Sequence, residues 1–522
     1  MRYVAMLSAL LLISPLVTFA QQRPGVMGTY SNGPVVIVFT ADGRYTVKGG
    51  ETIVIFGRYQ LAGDTLTIQD EGGPYACAGP AGRYLWQRDA AGMTLRLLSD
   101  SCQGRAAPLT TGAWAGPRWP ALVLRGGTLI DGTGAPARPN VDVIIADGRI
   151  QAIQNAGAGP IPADADIRSV AGAWILPGLI DTHVHLYTDP SGKDARAAVE
   201  AHLRNTLLGG VTTVRDMAGD GRALADLSRA VAAGDIPSPD IHYSALFGGP
   251  ILMTDARVIM STRGLTPGTV GWARQVSPDL NWALIIAQAK GAGASGIKLY
   301  GDIPAPLLKP IVAEAHRQDL RTWSHAAILP ALPADAVAAG VDVLSHANML
   351  AAQAETAPRP YAHRFELNYA VDVRHPVLET LLRTMAERRT ILEPTLWLYA
   401  AQGNDTLPIG RFAAAVARRA HELGVPIAAG TDNMISSAPG SLPHLHDELE
   451  ALVTRSGLQP LAAIVAATGT AARALGIAAT TGTIEAGKAA DLLVLSADPL
   501  ENIRNTRKIS MVMKHGEVVQ KP

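Results

Sequence analysis

Three hydrophobic patterns follow one another along the chain. From about Gly25 to Ala115, apolar and polar residues alternate in short runs. Val35–Thr40 leads through an Asp42-Gly43 turn to Arg44–Lys48, then Thr52–Gln60. Period two over such lengths predicts half-buried antiparallel strands. Two stretches echo one another. Gly57-Arg58-Tyr59-Gln60-Leu61 precedes Asp64–Ile68, and Gly82-Arg83-Tyr84-Leu85-Trp86 precedes Met93–Leu97. Each reads as a hairpin around a Gly-containing turn, and each is followed by one cysteine.

From Leu122 the style changes. Leu122–Arg125, Val141–Ala146 and Arg149–Ile153 read as strands, and the far end repeats them at Gly482–Gly487, Asp491–Leu495 and Ser510–Val519. Two strand-rich ends flanking a long middle predict one composite β-sandwich, from residues 119–178 and 479–522, clasping a central domain.

That middle, residues 179–478, alternates short apolar runs with Ala-rich helical stretches. Leu179–His185 opens it, followed by Thr212–Arg215, Ile241–Ser244, Ile297–Tyr300, Arg321–His325, Val341–His346, Ile391–Leu396 and Val425–Thr431. Helices are predicted between them, among them Ala195–Leu208, Pro306–Gln318, Ala334–Ala339 and Arg411–Leu423. Eight strand–helix units predict an α/β fold, a (β/α)8 TIM barrel with a parallel sheet. A doubly wound open sheet is the alternative, but no Gly-x-Gly-x-x-Gly opens a helix here.

A chain of 522 residues suits about three domains. Lys+Arg and Asp+Glu are equal at 45 each, and no segment has the basic excess that nucleic-acid binding needs. The first residues read as export rather than fold. Arg2 precedes an apolar stretch, Met6–Phe19, and Thr18-Phe19-Ala20 offers a cleavage site before Gln21. That stretch is short for a membrane anchor, the competing reading, and no later segment is long and apolar enough to span. Residues 1–20 are therefore expected to be a signal peptide, with the bacterial periplasm as destination and full secretion left open. Export makes a disulfide between Cys77 and Cys102 plausible. Residues 21–118 resemble a small all-β lipocalin-like barrel, and no catalytic constellation is visible in them.

In a (β/α)8 barrel chemistry gathers where strands end. Strand one ends in His183-Val184-His185, two imidazoles on one side of a strand. Such a pair is half a zinc site, or else a chance pair on a wet face. Strand five ends at His325, strand six at His346, and strand eight at Thr431-Asp432. Lys298 sits inside strand four between Ile297 and Leu299. A lone ammonium there would lose hydration at a cost of several kcal/mol. It either pairs with a carboxylate such as Asp432, snorkels to the rim, or is neutral and carries CO2 as a carbamate.

On these residues the chain resembles the amidohydrolase superfamily, in particular its prolidase-like and imidazolonepropionase-like branch. The motifs are Pro177–His185, Ile297–Leu299, His325, Val341–His346, Gly430–Asp432 and the tail Gly482–Pro499, and the resemblance covers about residues 119–522. It implies two divalent metal ions, Zn2+ by preference. His183, His185 and Asp432 would bind the buried ion, His325 and His346 the second, and a carbamylated Lys298 would bridge them. The implied reaction is attack of a metal-held hydroxide on an amide carbonyl, with Asp432 moving the proton to the leaving amine. The substrate would be a small molecule or short peptide, and a homo-oligomer is compatible with the sequence. A one-metal deaminase or cyclic-amide hydrolase, with His346 positioning water, is the alternative. A ligand-binding barrel without catalysis is a third reading, and it would be expected to lack a ligand. Relatives follow the lysine with Ser/Thr-Gly-Gly, whereas here Tyr300-Gly301-Asp302 follows. Tyr300 shares the inward parity of Lys298, so it and His242 on strand three are candidate substrate-binding residues. His444 and His446 read as surface or capping histidines, and Arg215 with Asp216 as an ion pair at the rim.

Overall fold

The computed structural model describes residues 28–520 apart from 41–42, 51, 90–91, 117–120, 163–164, 358, 365 and 436–440. The expected signal peptide, residues 1–20, and Asp42 of the first turn lie outside the described residues. The chain divides into two compact units between residues 118 and 119.

In the first unit eight antiparallel strands close a barrel, from Gly28–Asn32 to Trp114–Ala115. The two echoing hairpins are Thr52–Ala62 with Thr65–Gly72, and Gly82–Asp89 with Gly92–Ser99. Alternation places Tyr30, Phe39, Tyr45, Leu66, Ile68, Tyr84 and Leu95 on one side, where they pack with Trp114 as the core. A helix the sequence pattern does not announce, Gln103–Thr110, carries Arg105 against this barrel. The guanidinium meets Asp70 at 3.1 Å and Asp100 at 2.7 Å, so a buried charge is paired twice. Cys77 and Cys102 are joined in a disulfide that closes a 25-residue loop. In the chain-entropy picture such a loop contributes about 3 kcal/mol.

In the second unit, strands from both ends form one eight-stranded sheet. Its order runs from Arg149–Asn155 through Arg138–Ala146, Leu122–Leu129 and Trp174–Pro177 to Leu492–Leu495, Ile509–Lys514 and Glu517–Gln520, with Asp166–Ser169 paired to Leu122–Leu129. The sheet folds over its own core of Val143, Ile175, Leu492, Val494 and Met513. Its halves meet where Ile150 N–H donates to Lys488 O and Gly487 N–H to Ile150 O.

Between these ends lies the parallel barrel. Its strands are Leu179–His185, Val211–Asp216, Asp240–Gly248, Gly296–Gly301, Arg321–His325, Val343–Ser345 and Ile391–Glu393. The eighth member, Val425 to Met434, closes the ring. It pairs with strand seven through Leu392 and Ile427, and with strand one through Val184–Asn433 and His185–Met434. Strands six and seven stop earlier than their apolar runs suggest. His346 and Thr395 have positive φ, 69° and 55°, which ends an extended path. The expected helices appear at Arg196–Leu208, Ala305–Arg317, Pro333–Ala339 and Pro408–Glu422. Their buried faces join strand residues such as Leu179, Val214, Ile297 and Leu344 in one core. The long connection after strand three folds into a helix, Ala256–Ser261, and a short strand, Ala273–Gln275, added in parallel beside strand three. No helix among the described residues is long and apolar enough to cross a membrane.

Candidate active site

Asp181, two residues before the histidine pair, pins the start of the site. Its carboxyl accepts from the backbone N–H of His183 and of Thr431, both at 3.1 Å, and from the Thr431 hydroxyl at 2.8 Å. Strand one is thereby fixed to strand eight at the level where each delivers a functional side chain. Asp432 then turns inward from a backbone at φ 56°. Non-glycine residues held there cost of order 1–3 kcal/mol, and such strain clusters at functional sites. His346 shares this conformation.

The geometry brings six of the expected residues together. Asp432 Oδ1 lies 2.9 Å from His185 Nε2 and 3.3 Å from His183 Nε2, and its other oxygen is 3.9 Å from His346 Nδ1. The rings of His183 and His346 are 5.1 Å apart, and those of His325 and His346 are 4.7 Å apart. Lys298 is fully buried, and its Nζ donates to Ser345 Oγ at 3.2 Å. Tyr300 joins them, its ring centroid 3.9 Å from that of His325. With His185, Thr188, Ala218 and Arg257 it lines a narrow recess of about 20 Å³.

Burial sets the protonation states. It pushes the His346 imidazole down to about 3 and holds His325 well below the usual histidine range, with Lys298 adding to the second effect. It also lowers His183. Burial would lower His185 too, but its bond to Asp432 leaves it raised. The Lys298 ammonium is pushed down to about 7 by burial. Burial works to raise the Asp432 carboxyl, yet the imidazoles of His183, His185 and His346 hold it well below the usual carboxylate range. His183, His325 and His346 are thus neutral beside an ionised carboxylate, the state in which such groups bind metal, and His185 would give up its proton on binding.

The donor set fits a divalent ion. His183, His185 and Asp432 each offer one ligand atom, and all three atoms lie within 4.8 Å of one another. His325 Nδ1 is buried and has no hydrogen-bond partner among the described residues. An unsatisfied buried nitrogen costs about 1–3 kcal/mol, which a coordinated cation would relieve.

Several expected placements differ. His242 is not brought to this cluster. Lys298 pairs in register with Leu246, so His242 lies four residues back along strand three, about 13 Å toward its start. There it lines a different recess with Asp240, Asp491 and His515. Those three form a second group with metal-ligand spacing, but Lys514 Nζ already sits between the acids, 2.6 Å from Asp240 and 3.1 Å from Asp491. His446 is a buried structural residue rather than a surface one, bonded to Thr506 Oγ1 at 3.0 Å and Gly209 O at 2.9 Å. His444 stacks on Trp397 at 4.2 Å. Arg215 does not pair with Asp216. Asp216 accepts from the backbone of Leu186 and Ala218. Arg215 instead reaches Glu393, a fully buried carboxylate at the end of strand seven that also contacts His183 Nδ1. The pattern Ile391-Leu392-Glu393-Pro394 was its only signal in the chain.

Glu448, on the helix Leu445–Thr454, is a second buried carboxyl. It accepts from Trp397 N–H at 2.6 Å, while its Oε1 has no partner among the described residues. Burial pushes it up to about 8. A carboxyl raised in the folded state stabilises fully below its unfolded pKa, near 4.3, and loses that contribution as pH climbs toward the folded value. Glu448→Gln is expected to leave the melting temperature at pH 4 nearly unchanged and to raise it at pH 8, by ~2 °C or more. Equal shifts at both pH values, followed by circular dichroism, would contradict this.

A parallel (β/α)8 barrel with buried imidazoles, a carboxylate and a lysine at its rim is the architecture of a barrel hydrolase. The chain belongs to the Amidohydrolase family, whose profile matches residues 174–519. It is a hydrolase acting on carbon–nitrogen amide bonds, in a family that depends on metal. An ochratoxinase of Aspergillus niger is 26% identical over 453 residues, covering 77% of this chain and 87% of the relative. The crystal structure of A. niger ochratoxinase matches with a TM-score of 0.60 at 23% identity, over 77% of this chain and 96% of that one. A candidate prolidase from Bifidobacterium longum matches with a TM-score of 0.57 at 25% identity, over 78% and 96%. The likeness to the ochratoxinase structure speaks for the fold alone.

Proposed function

We propose that this chain is an exported two-metal hydrolase that cleaves a peptide-like or N-acyl amide in a small molecule or short peptide. The observation that carries the reading is the convergence of His183, His185 and Asp432 beside His325, His346 and Lys298. Four imidazoles and a carboxylate around a buried amine suit Zn2+. His183, His185 and Asp432 would hold one ion, His325 and His346 the other, and Lys298 would bridge as a carbamate. The amine adds to CO2, an N–C bond forms, and one proton leaves to solvent. Ser345 Oγ, already beside Nζ, is placed to donate to the resulting anion. Bound ions would supply an acidified water and a Lewis acid for the substrate carbonyl.

The chain's own groups do the rest. Asp432 takes the proton of the attacking water and delivers it to the leaving nitrogen. Tyr300, its ring tilted 45° against that of His325, would donate its phenol to a substrate carbonyl or carboxylate. The disulfide and the leader-like first residues support export. Relatives named for ochratoxin and for prolyl dipeptides support an amide substrate.

The test is a panel of dipeptides, N-acyl amino acids, lactones and aminopyrimidines with Zn2+-loaded protein, before and after chelation. Amides are expected to turn over, activity to fall at least about 10³-fold on chelation, and Zn2+ to restore it. Turnover of lactones or aminopyrimidines with amides untouched would contradict the reading.

A further inference from the structure

We infer that Glu393, oriented by Arg215, is a positioning residue that fixes the metal-facing nitrogen of His183. The inference rests on the two-metal reading above and deepens it. Glu393 is fully buried, 210 residues from His183 in sequence, and the two meet only because strands one and seven converge at one level. One carboxylate oxygen accepts a hydrogen bond from the Nδ1–H of His183. The other accepts from Arg215 Nη2 and, at 3.0 Å, from the Thr182 hydroxyl. Arg215 is fixed in turn. Its Nε donates to Thr182 O at 2.6 Å, and its guanidinium lies 4.4 Å over the Trp323 ring.

With its proton held on Nδ1, His183 must present the lone pair of Nε2, and Nε2 faces Asp432 at 3.3 Å. A carboxylate behind a ligating imidazole fixes its tautomer and raises its basicity, and losing one typically costs 10–100-fold in metal affinity. His185, the other imidazole of strand one, lacks this support: its Nε2 faces Asp432 at 2.9 Å, while its Nδ1 has only the Ala218 carbonyl at 3.4 Å. Gly430 makes room for the arrangement. A Cβ there would stand 2.8 Å from His183 Cβ, 2.8 Å from Thr182 Oγ1 and 2.9 Å from Glu393 Cδ.

The test is an equilibrium Zn2+ titration of metal-free protein against a chromophoric chelator. Glu393→Gln keeps the shape of the side chain and removes its charge, and it should weaken one of the two Zn2+ equivalents by 10–100-fold. That variant leaves a buried guanidinium unpaired. Arg215→Met/Glu393→Gln removes both charges together and should show the same loss. Wild-type affinity for both ions in either folded variant overturns the inference. Wild-type protein that binds fewer than two Zn2+ overturns the two-metal reading instead, a result visible before any variant is made.

Discussion

Replacing Lys298 with alanine is expected to leave one divalent ion per chain where the wild type holds two, and to cut turnover by about 10³-fold or more. Lys298 is fully buried and forms no ion pair with a carboxylate among the described residues. It is locked in register between Leu246 of strand three and Trp323 of strand five, and Ser345 is its one side-chain hydrogen-bond partner among the described residues. A charged amine gains little there, whereas a carbamate would gain two cations. Alanine removes the stem and with it the bridge. His325 and His346 would then be left without an anionic partner, so the ion they hold is the one that should go. The same argument makes metal loading of the wild type depend on CO2. Reconstitution in CO2-depleted buffer should recover less activity than reconstitution with bicarbonate. Elemental analysis and steady-state kinetics check both points. Two ions per chain and near-normal turnover in the alanine variant would remove the bridging role.

Asp432→Asn should have the second-largest effect, a fall in kcat of about 10²–10⁴-fold. Asparagine preserves volume and tolerates the positive φ of 56° found here, so the backbone need not move. It cannot carry the proton from water to the leaving nitrogen. The loss should therefore depend on the leaving group. An alkyl amine must be protonated as it departs, while a nitroaniline is a weak base and needs little help. The variant is expected to lose much more against an alkyl amide than against the matching nitroanilide. An equal loss on both substrates would mean that Asp432 serves only as a ligand.

Much of this site is legible in the chain because parity and strand ends are local properties. His183 and His185 are two apart in a strand, so they must share a side. Lys298 between Ile297 and Leu299 must be buried, whatever its partners. Depth along a strand is not local. His242 lies on strand three, but near its start, where it shares a recess with Asp240 of the same strand and with Asp491 and His515 of the end sheet rather than reaching the rim. Partners across the barrel are hidden for the same reason. Arg215 stands next to Asp216 in sequence, yet successive residues of a strand face opposite ways, and its partner Glu393 comes from strand seven. Glu393 precedes a proline at the close of a short apolar run, where a carboxylate looks like an ordinary polar strand end. Strand eight shows the reverse case. Its apolar run is clear in the sequence, but its ladder pairs among the described residues are confined to Leu392–Ile427, Val184–Asn433 and His185–Met434, and Asp432 leaves the extended path at φ 56°.

Anomalous X-ray diffraction from Zn2+-soaked crystals, recorded on both sides of the zinc edge, tests the convergence of these side chains most directly. Two peaks are expected about 3.5–4 Å apart. One should lie within bonding distance of His183, His185 and Asp432, the other of His325 and His346, with density extending from Lys298 Nζ between them. A single peak, or zinc bound at Asp240, Asp491 and His515 instead, would contradict the two-metal centre.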